Sequence, residues 1–313
     1  MDALLALGLR TGRIVRVSLP DGRVETLTDQ AGPTPDGVVV EGGVVYWTTM
    51  GVPEVDPTEV PGEASRDYSR RNGGVHAIGL DGIGKRDVVP DGTVTTGKQL
   101  TSDGAGTLYW GDREGCRVTR VRVDGSGLTD LVVNERGDWT AECVGVAVLP
   151  TRGHLFWTQK GPANGGKGRI FRAGIDIPPG ETAANRSDIE TLWDRLPEPI
   201  DLHISGDWLY WTDRGAPPRG NTLNRAPIPS VGARGTPPEV LATGFAEAIG
   251  VTTDDEAGLV YVSDLGGKIR MVPMPGGPSD GEPPRVIAAF GEPITGLASV
   301  LTCQSGPVRD ERD

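Results

Sequence analysis

An aromatic pair followed by a small polar residue and a turn recurs along this chain. It appears as Tyr46-Trp47-Thr48-Thr49, Tyr109-Trp110-Gly111-Asp112, Phe156-Trp157-Thr158-Gln159, Tyr210-Trp211-Thr212-Asp213 and, degenerate, Tyr261-Val262-Ser263-Asp264. Successive first aromatics are 63, 47, 54 and 51 residues apart. A short apolar or mixed run precedes each, such as Val144-Gly145-Val146-Ala147. A Gly-x-Ile-x-Arg strand follows several, as in Gly168-Arg169-Ile170-Phe171-Arg172. A fourth, more polar strand ends the unit. Four short strands, β-branched and aromatic, broken by Gly, Asp and Pro and repeated at about 50 residues, define a propeller blade. Ile294-Thr295-Gly296-Leu297-Ala298 reads as a first strand with no second strand after it. Leu4-Leu5-Ala6-Leu7 and Gly12-Arg13-Ile14-Val15-Arg16 read as the missing second and third. The predicted fold is all-β, a six-bladed β-propeller of four-stranded blades whose sixth blade is closed by both termini. Residues 1–303 form one domain and 304–313 a polar tail.

Composition agrees with turns rather than helices: 47 glycines and 26 prolines in 313 residues. A net charge of -12 disfavours nucleic acid, whose phosphates need a basic face. No apolar run reaches the roughly 20 residues that cross a bilayer as a helix. The first ten residues lack the basic start of a signal peptide, so the cytoplasm is the expected location. Cys116, Cys143 and Cys303 are odd in number and form no Cys-x-x-Cys, which points to reduced thiols rather than a disulfide framework or zinc site. His76, His154 and His203 fall on different blades, without metal-ligand spacing. No nucleophile elbow, phosphate-binding loop or dinucleotide fingerprint is present. No cofactor and no metal are expected.

The motif Tyr210-Trp211-Thr212-Asp213 resembles that of the YWTD propellers of the low-density-lipoprotein-receptor type. Longer strings are similar to free-standing microbial YWTD-type propellers of secondary metabolism: Gly97-Lys98-Gln99-Leu100, Trp110-Gly111-Asp112-Arg113-Glu114-Gly115, Phe156-Trp157-Thr158-Gln159-Lys160-Gly161-Pro162 and Leu196-Pro197-Glu198-Pro199-Ile200-Asp201. Some of those are fungal hetero-Diels–Alderases. The resemblance implies a metal-independent cyclase acting on a small organic substrate, with no cofactor.

In a propeller, the loops leading into each first strand share a face with the loops joining strands 2 and 3. Here that face carries the long insertions, from about Val52 to Gly74, Gly161 to Gly168 and Gly215 to Thr222. Such loops mark a binding face. The candidate catalytic residues on it are Lys98, Gln99, Arg113, Gln159, Lys160, Glu198 and Asp201. The candidate substrate-binding residues are Asp36, Trp47, Tyr68, Trp139, Glu142, Arg214 and Glu247. Aromatic walls would hold the partners, amide and cationic donors would stabilise developing charge, and Glu198 or Asp201 would move a proton. Asp112, Asp213 and Asp264 are expected to tie blades to their neighbours. Two alternatives stay open. One is a metal-dependent lactonase with a cation on the axis. The other is a non-catalytic propeller that binds a protein or peptide. A monomer is expected.

Overall fold

The structure is a computed structural model that describes residues 1–59 and 65–300; Cys303 and the tail lie outside the described residues. Those residues form six four-stranded sheets and one two-stranded ribbon. Blade 1 runs from an innermost strand Pro35–Glu41 to an outermost strand Arg86–Val94. Blade 2 spans Gly97–Ser102 to Thr129–Val133, and blade 3 Cys143–Leu149 to Glu190–Leu196. Blade 4 spans Pro199–Ser205 to Glu239–Thr243, and blade 5 Ala248–Asp254 to Arg285–Ala289. Blade 6 pairs Ile294–Val300 antiparallel with Ala3–Gly8, so the two ends of the described chain close the ring. This hydrogen-bonded closure removes the bare sheet edges an open ring would have.

The aromatic pair works because adjacent strand residues point to opposite faces of a sheet. Trp47 packs into the core shared with blade 6, and Tyr46 into the core shared with blade 2. Trp110 fills that second core, while Tyr109 enters the next one, beside Trp157. Phe156 and Trp211 meet in the layer between blades 3 and 4, with Trp193 at 5.2 Å from Trp211. Each dipeptide therefore fills two successive inter-blade layers.

The residue after the pair ties the blades together. Thr48 Oγ1 accepts from Gly37 N at 2.9 Å and donates to the Lys98 carbonyl of the next blade at 2.6 Å. Thr158 does the same between Gly145 N and the Ile200 carbonyl, both at 2.7 Å. Thr212 joins Asp201 N to the Ile249 carbonyl, and Ser263 joins Gly250 N to the Thr295 carbonyl. The aspartates make the second tie, to the links between blades. Asp112 accepts from Thr95 N, Thr96 N and Gly115 N. Asp213 accepts from Glu198 N and Gly215 N. They pin the segment arriving from the previous blade and the turn leaving their own strand. A hydroxyl on the aromatic strand faces the neighbouring blade, whereas the aspartate is one residue further on, above the strand ends.

The innermost strands crowd the axis. At corresponding positions stand Gly37, Gln99, Gly145, Asp201, Gly250 and Gly296. A Cβ on Gly145 would lie 2.1 Å from the Ile200 carbonyl oxygen, and on Gly37 2.4 Å from Leu100 N. Close approach of successive strands thus demands glycine in four blades and tolerates a side chain in blades 2 and 4.

Candidate functional site

The glycines and their two exceptions lie under a layer of charged side chains at the decorated end. Asp36 of blade 1 is buried and pairs with Lys98 Nζ of blade 2. Gln99 Nε2 donates to its other oxygen at 2.5 Å. Burial pushes the Lys98 ammonium below its ordinary pKa, against the opposing pull of Asp36. Across the axis Glu198 accepts from Arg214 Nε at 2.7 Å and from Lys160 Nζ at 3.4 Å. Arg113 Nε donates to Glu114 Oε1 at 2.8 Å and lies 3.9 Å from Glu142. Gln159 accepts from Arg169 at 2.7 Å. Beside these polar groups, Val144, Ile200 and Ile249 meet as an apolar cluster.

Asp201 sits lower, in the ring itself. Its two oxygens accept from Leu202 N at 2.9 Å and Val251 N at 3.0 Å. Burial pushes its pKa up to about 8, and the charge of Asp36 adds to the rise while the two amides oppose it. Asp201 and Gln99 line a small cavity of about 100 Å³ between the innermost strands, with His203. Burial lowers the His203 pKa to about 4, so its imidazole is neutral at pH 7.

A second space lies to one side of the axis, over blades 1 to 3. A cavity of about 310 Å³ is walled by Tyr68, Arg113, Trp139 and Glu142, with Arg66 and Arg136 at its rim. Tyr68 comes from the long blade 1 loop, beside the ribbon formed by Glu54–Val55 and Arg66–Asp67. Its ring lies under the Arg113 guanidinium, 5.8 Å from centroid to carbon. Trp139 opens a single 3₁₀ turn, Trp139–Ala141, that Asp138 caps by accepting from Thr140 N. It is 51% exposed, with Lys160 Nζ 5.9 Å from its ring. Cys116 also reaches this cavity; burial raises its thiol to about 11.

Four of the sequence-predicted residues, Tyr68, Arg113, Trp139 and Glu142, therefore share one cavity. Asp36, Lys98, Gln99, Lys160, Glu198 and Arg214 share the buried layer rather than an open channel mouth. Neighbouring strand ends bring opposite charges within pairing distance, which accounts for their burial. Glu247 stays at the rim, 3.9 Å from Arg214. Trp47, expected as a wall of the mouth, is fully buried between blades and donates its indole N–H to the Ala31 carbonyl at 2.7 Å. Arg66 and Arg136 went unnoticed. Arg136 stands in the same link as Trp139, and its closeness to an aromatic in a loop leading into a first strand was the available signal.

Fold and site together define a six-bladed YWTD-type propeller with an off-axis cavity on its loop-bearing face. The chain is 38% identical over 320 residues, 96% of each chain, to a Pyricularia oryzae protein named low-density lipoprotein receptor-related protein 1. It belongs to the family of that protein. It is also 41% identical over 281 residues to the Cochliobolus heterostrophus protein named 3-hydroxyacyl-CoA dehydrogenase-like protein LAM1. That match takes in 83% of this chain but only 56% of LAM1. Among solved structures, a chain of a nidogen/laminin complex superposes with a TM-score of 0.67 over 95% of this chain and 98% of its own, at 18% identity, a likeness of fold. No protein-family model matches the chain. Among the described residues no helix is long and apolar enough to cross a membrane.

Proposed function

We propose that this propeller is a small-molecule enzyme and that the cavity over blades 1 to 3 is its site. The observation that carries the reading is the joining of two aromatic side chains, Tyr68 and Trp139, with the Arg113 donor around one space of about 310 Å³. Small-molecule sites have this character: a concave pocket, mostly apolar walls and a few convergent polar groups. The chemistry proposed is a metal-independent cyclisation of hetero-Diels–Alder type. A heterodiene and an alkene join through two new σ bonds, with no atom gained or lost. Holding both partners in one geometry supplies up to about 7–11 kcal/mol. A donor on the oxygen that gathers charge adds about 3–4 kcal/mol, and Arg113 is that donor. The layer of Lys98, Gln99, Lys160 and Glu198 forms the support beside it, with Asp201 below, whereas Gln159 is held by Arg169 away from that layer. Substrate, cytoplasmic location and monomeric state belong to the same proposal. An axial cation of the lactonase kind is less well served, because Asp36 and Glu198 already pair with Lys98 and Arg214 and both oxygens of Asp201 accept from backbone amides.

The test is conversion of an ortho-quinone methide precursor with an alkene. The wild type should give one stereoisomer above the background mixture, and Trp139→Ala at least tenfold less, with an unchanged unfolding midpoint. A product mixture identical to the uncatalysed one would refute the reading. A protein-binding role is the second reading, favoured by the exposed Val52 and Val55 on the same face. It predicts stoichiometric co-elution with a protein partner that Trp139→Ala abolishes.

A further inference from the structure

We infer that the cavity over blades 1 to 3 takes a planar organic anion, a conjugated ring bearing a carboxylate, read by Arg136 and Arg66. This rests on the proposed small-molecule site and names the class of guest. The cavity has four acidic neighbours, and each is engaged. Glu114 pairs with Arg113. Glu142 faces the same guanidinium at 3.9 Å. Asp67 accepts from Ser69 N at 2.7 Å, and Asp138 from Thr140 N and Oγ1, both at 2.8 Å. The two rim cations have donor capacity left over, whereas Asp67 and Asp138 keep their charge but have their oxygens occupied. Arg136 donates from Nε to the Glu114 carbonyl at 3.0 Å and from one terminal nitrogen to the Ser69 carbonyl at 3.5 Å. Both acceptors are neutral, so among the described residues its charge is held in place without being neutralised, and its remaining N–H groups have no acceptor there. The Arg66 side chain makes no hydrogen bond or ion pair among the described residues.

Guanidinium groups match carboxylates because two parallel N–H donors meet two oxygens. A ring carried by that carboxylate would lie between Tyr68 and Trp139, which supply aromatic faces in the same cavity. The chain as a whole carries -12, which repels anions at long range. Screening limits that repulsion to about 8 Å at physiological salt, so the balance is struck at the cavity itself, where the free N–H donors of Arg136 and Arg66 offer the paired contact that Asp67 and Asp138, already holding neutral donors, oppose only by charge.

The experiment titrates the full chain with 1-naphthoate and with its neutral amide, following quenching of the exposed Trp139. Naphthoate should bind at least tenfold more tightly than naphthamide. Arg136→Met and Arg66→Met should each weaken naphthoate at least fivefold and leave naphthamide within twofold, which separates loss of charge recognition from a disturbed loop. Equal affinity for the two probes would overturn this inference and leave the small-molecule site standing. Absence of quenching by either would overturn both.

Discussion

Replacing Asp201 by Asn isolates the axial carboxyl. Burial holds its pKa at about 8 in the folded chain, against an ordinary value of 3.8. Between those values the unfolded chain has lost its proton while the folded chain keeps it. The unfolded state then binds fewer protons, so stability falls as pH rises, by about 1.4 kcal/mol per unit. The contribution is fully present below about pH 4 and is gone once pH has climbed through about 8. From pH 5 to 7.5 the wild type should lose on the order of 3 kcal/mol through this one group. Asparagine titrates nowhere in the range. Its NH₂ must face either the Leu202 or the Val251 amide, both of which now donate to carboxyl oxygens. One buried donor is left without an acceptor, at a pH-independent cost of about 1–3 kcal/mol. Asp201→Asn should therefore be the less stable protein at about pH 4, with the gap narrowing by about 1.4 kcal/mol per unit, closing between about pH 4.5 and 6 and reversed above that. Urea unfolding followed by tryptophan fluorescence at half-unit pH steps, with m-values compared, measures the gap directly. Two parallel stability curves would mean that Asp201 is ionised in the fold, and the burial argument would fail.

Three further outcomes follow from the same geometry. Lys98→Met strands the buried carboxylate of Asp36, so urea unfolding at pH 7 should show a loss of about 3–5 kcal/mol, far more than an exposed ion pair would give. Gly145→Ala forces a Cβ to 2.1 Å from the Ile200 carbonyl and should cost at least about 1–3 kcal/mol in the same assay, as overpacking does; a wild-type unfolding midpoint would show that the innermost strands can spread. The thiol of Cys116, raised to about 11 by burial, should resist iodoacetamide at pH 8 in the folded protein although it borders the cavity. Peptide mapping that found it alkylated at the rate of a free thiol would contradict this.

The propeller was legible because its strongest signal is local. Tyr46-Trp47 and its relatives sit side by side, and strand alternation alone sends them into two different layers. The closing blade was legible for the same reason: Ile294–Val300 and Ala3–Gly8 each show their strand character without the other. Trp47 and Trp139 mark where that reasoning stopped. Both are tryptophans near the decorated end, yet one fills an inter-blade core and the other stands in solvent, because one belongs to an alternating strand and the other to a capped turn. The charged layer was harder still. Lys98 and Asp36 are 62 residues apart, and Glu198 and Lys160 are 38 apart. Only the ring brings each pair together, so sequence alone places these residues on the right face and takes them for an open rim. The sharpest unused signal was the exception within a repeat. Gly37, Gly145, Gly250 and Gly296 are held to glycine by the neighbouring strand. A side chain at the equivalent place must find room and hydrogen-bond partners of its own. Gln99 finds Asp36, and Asp201 finds two backbone amides and, among the described residues, no cation. Local rules are broken most often where something other than packing is served, and these two positions are where the axis of this propeller breaks its own.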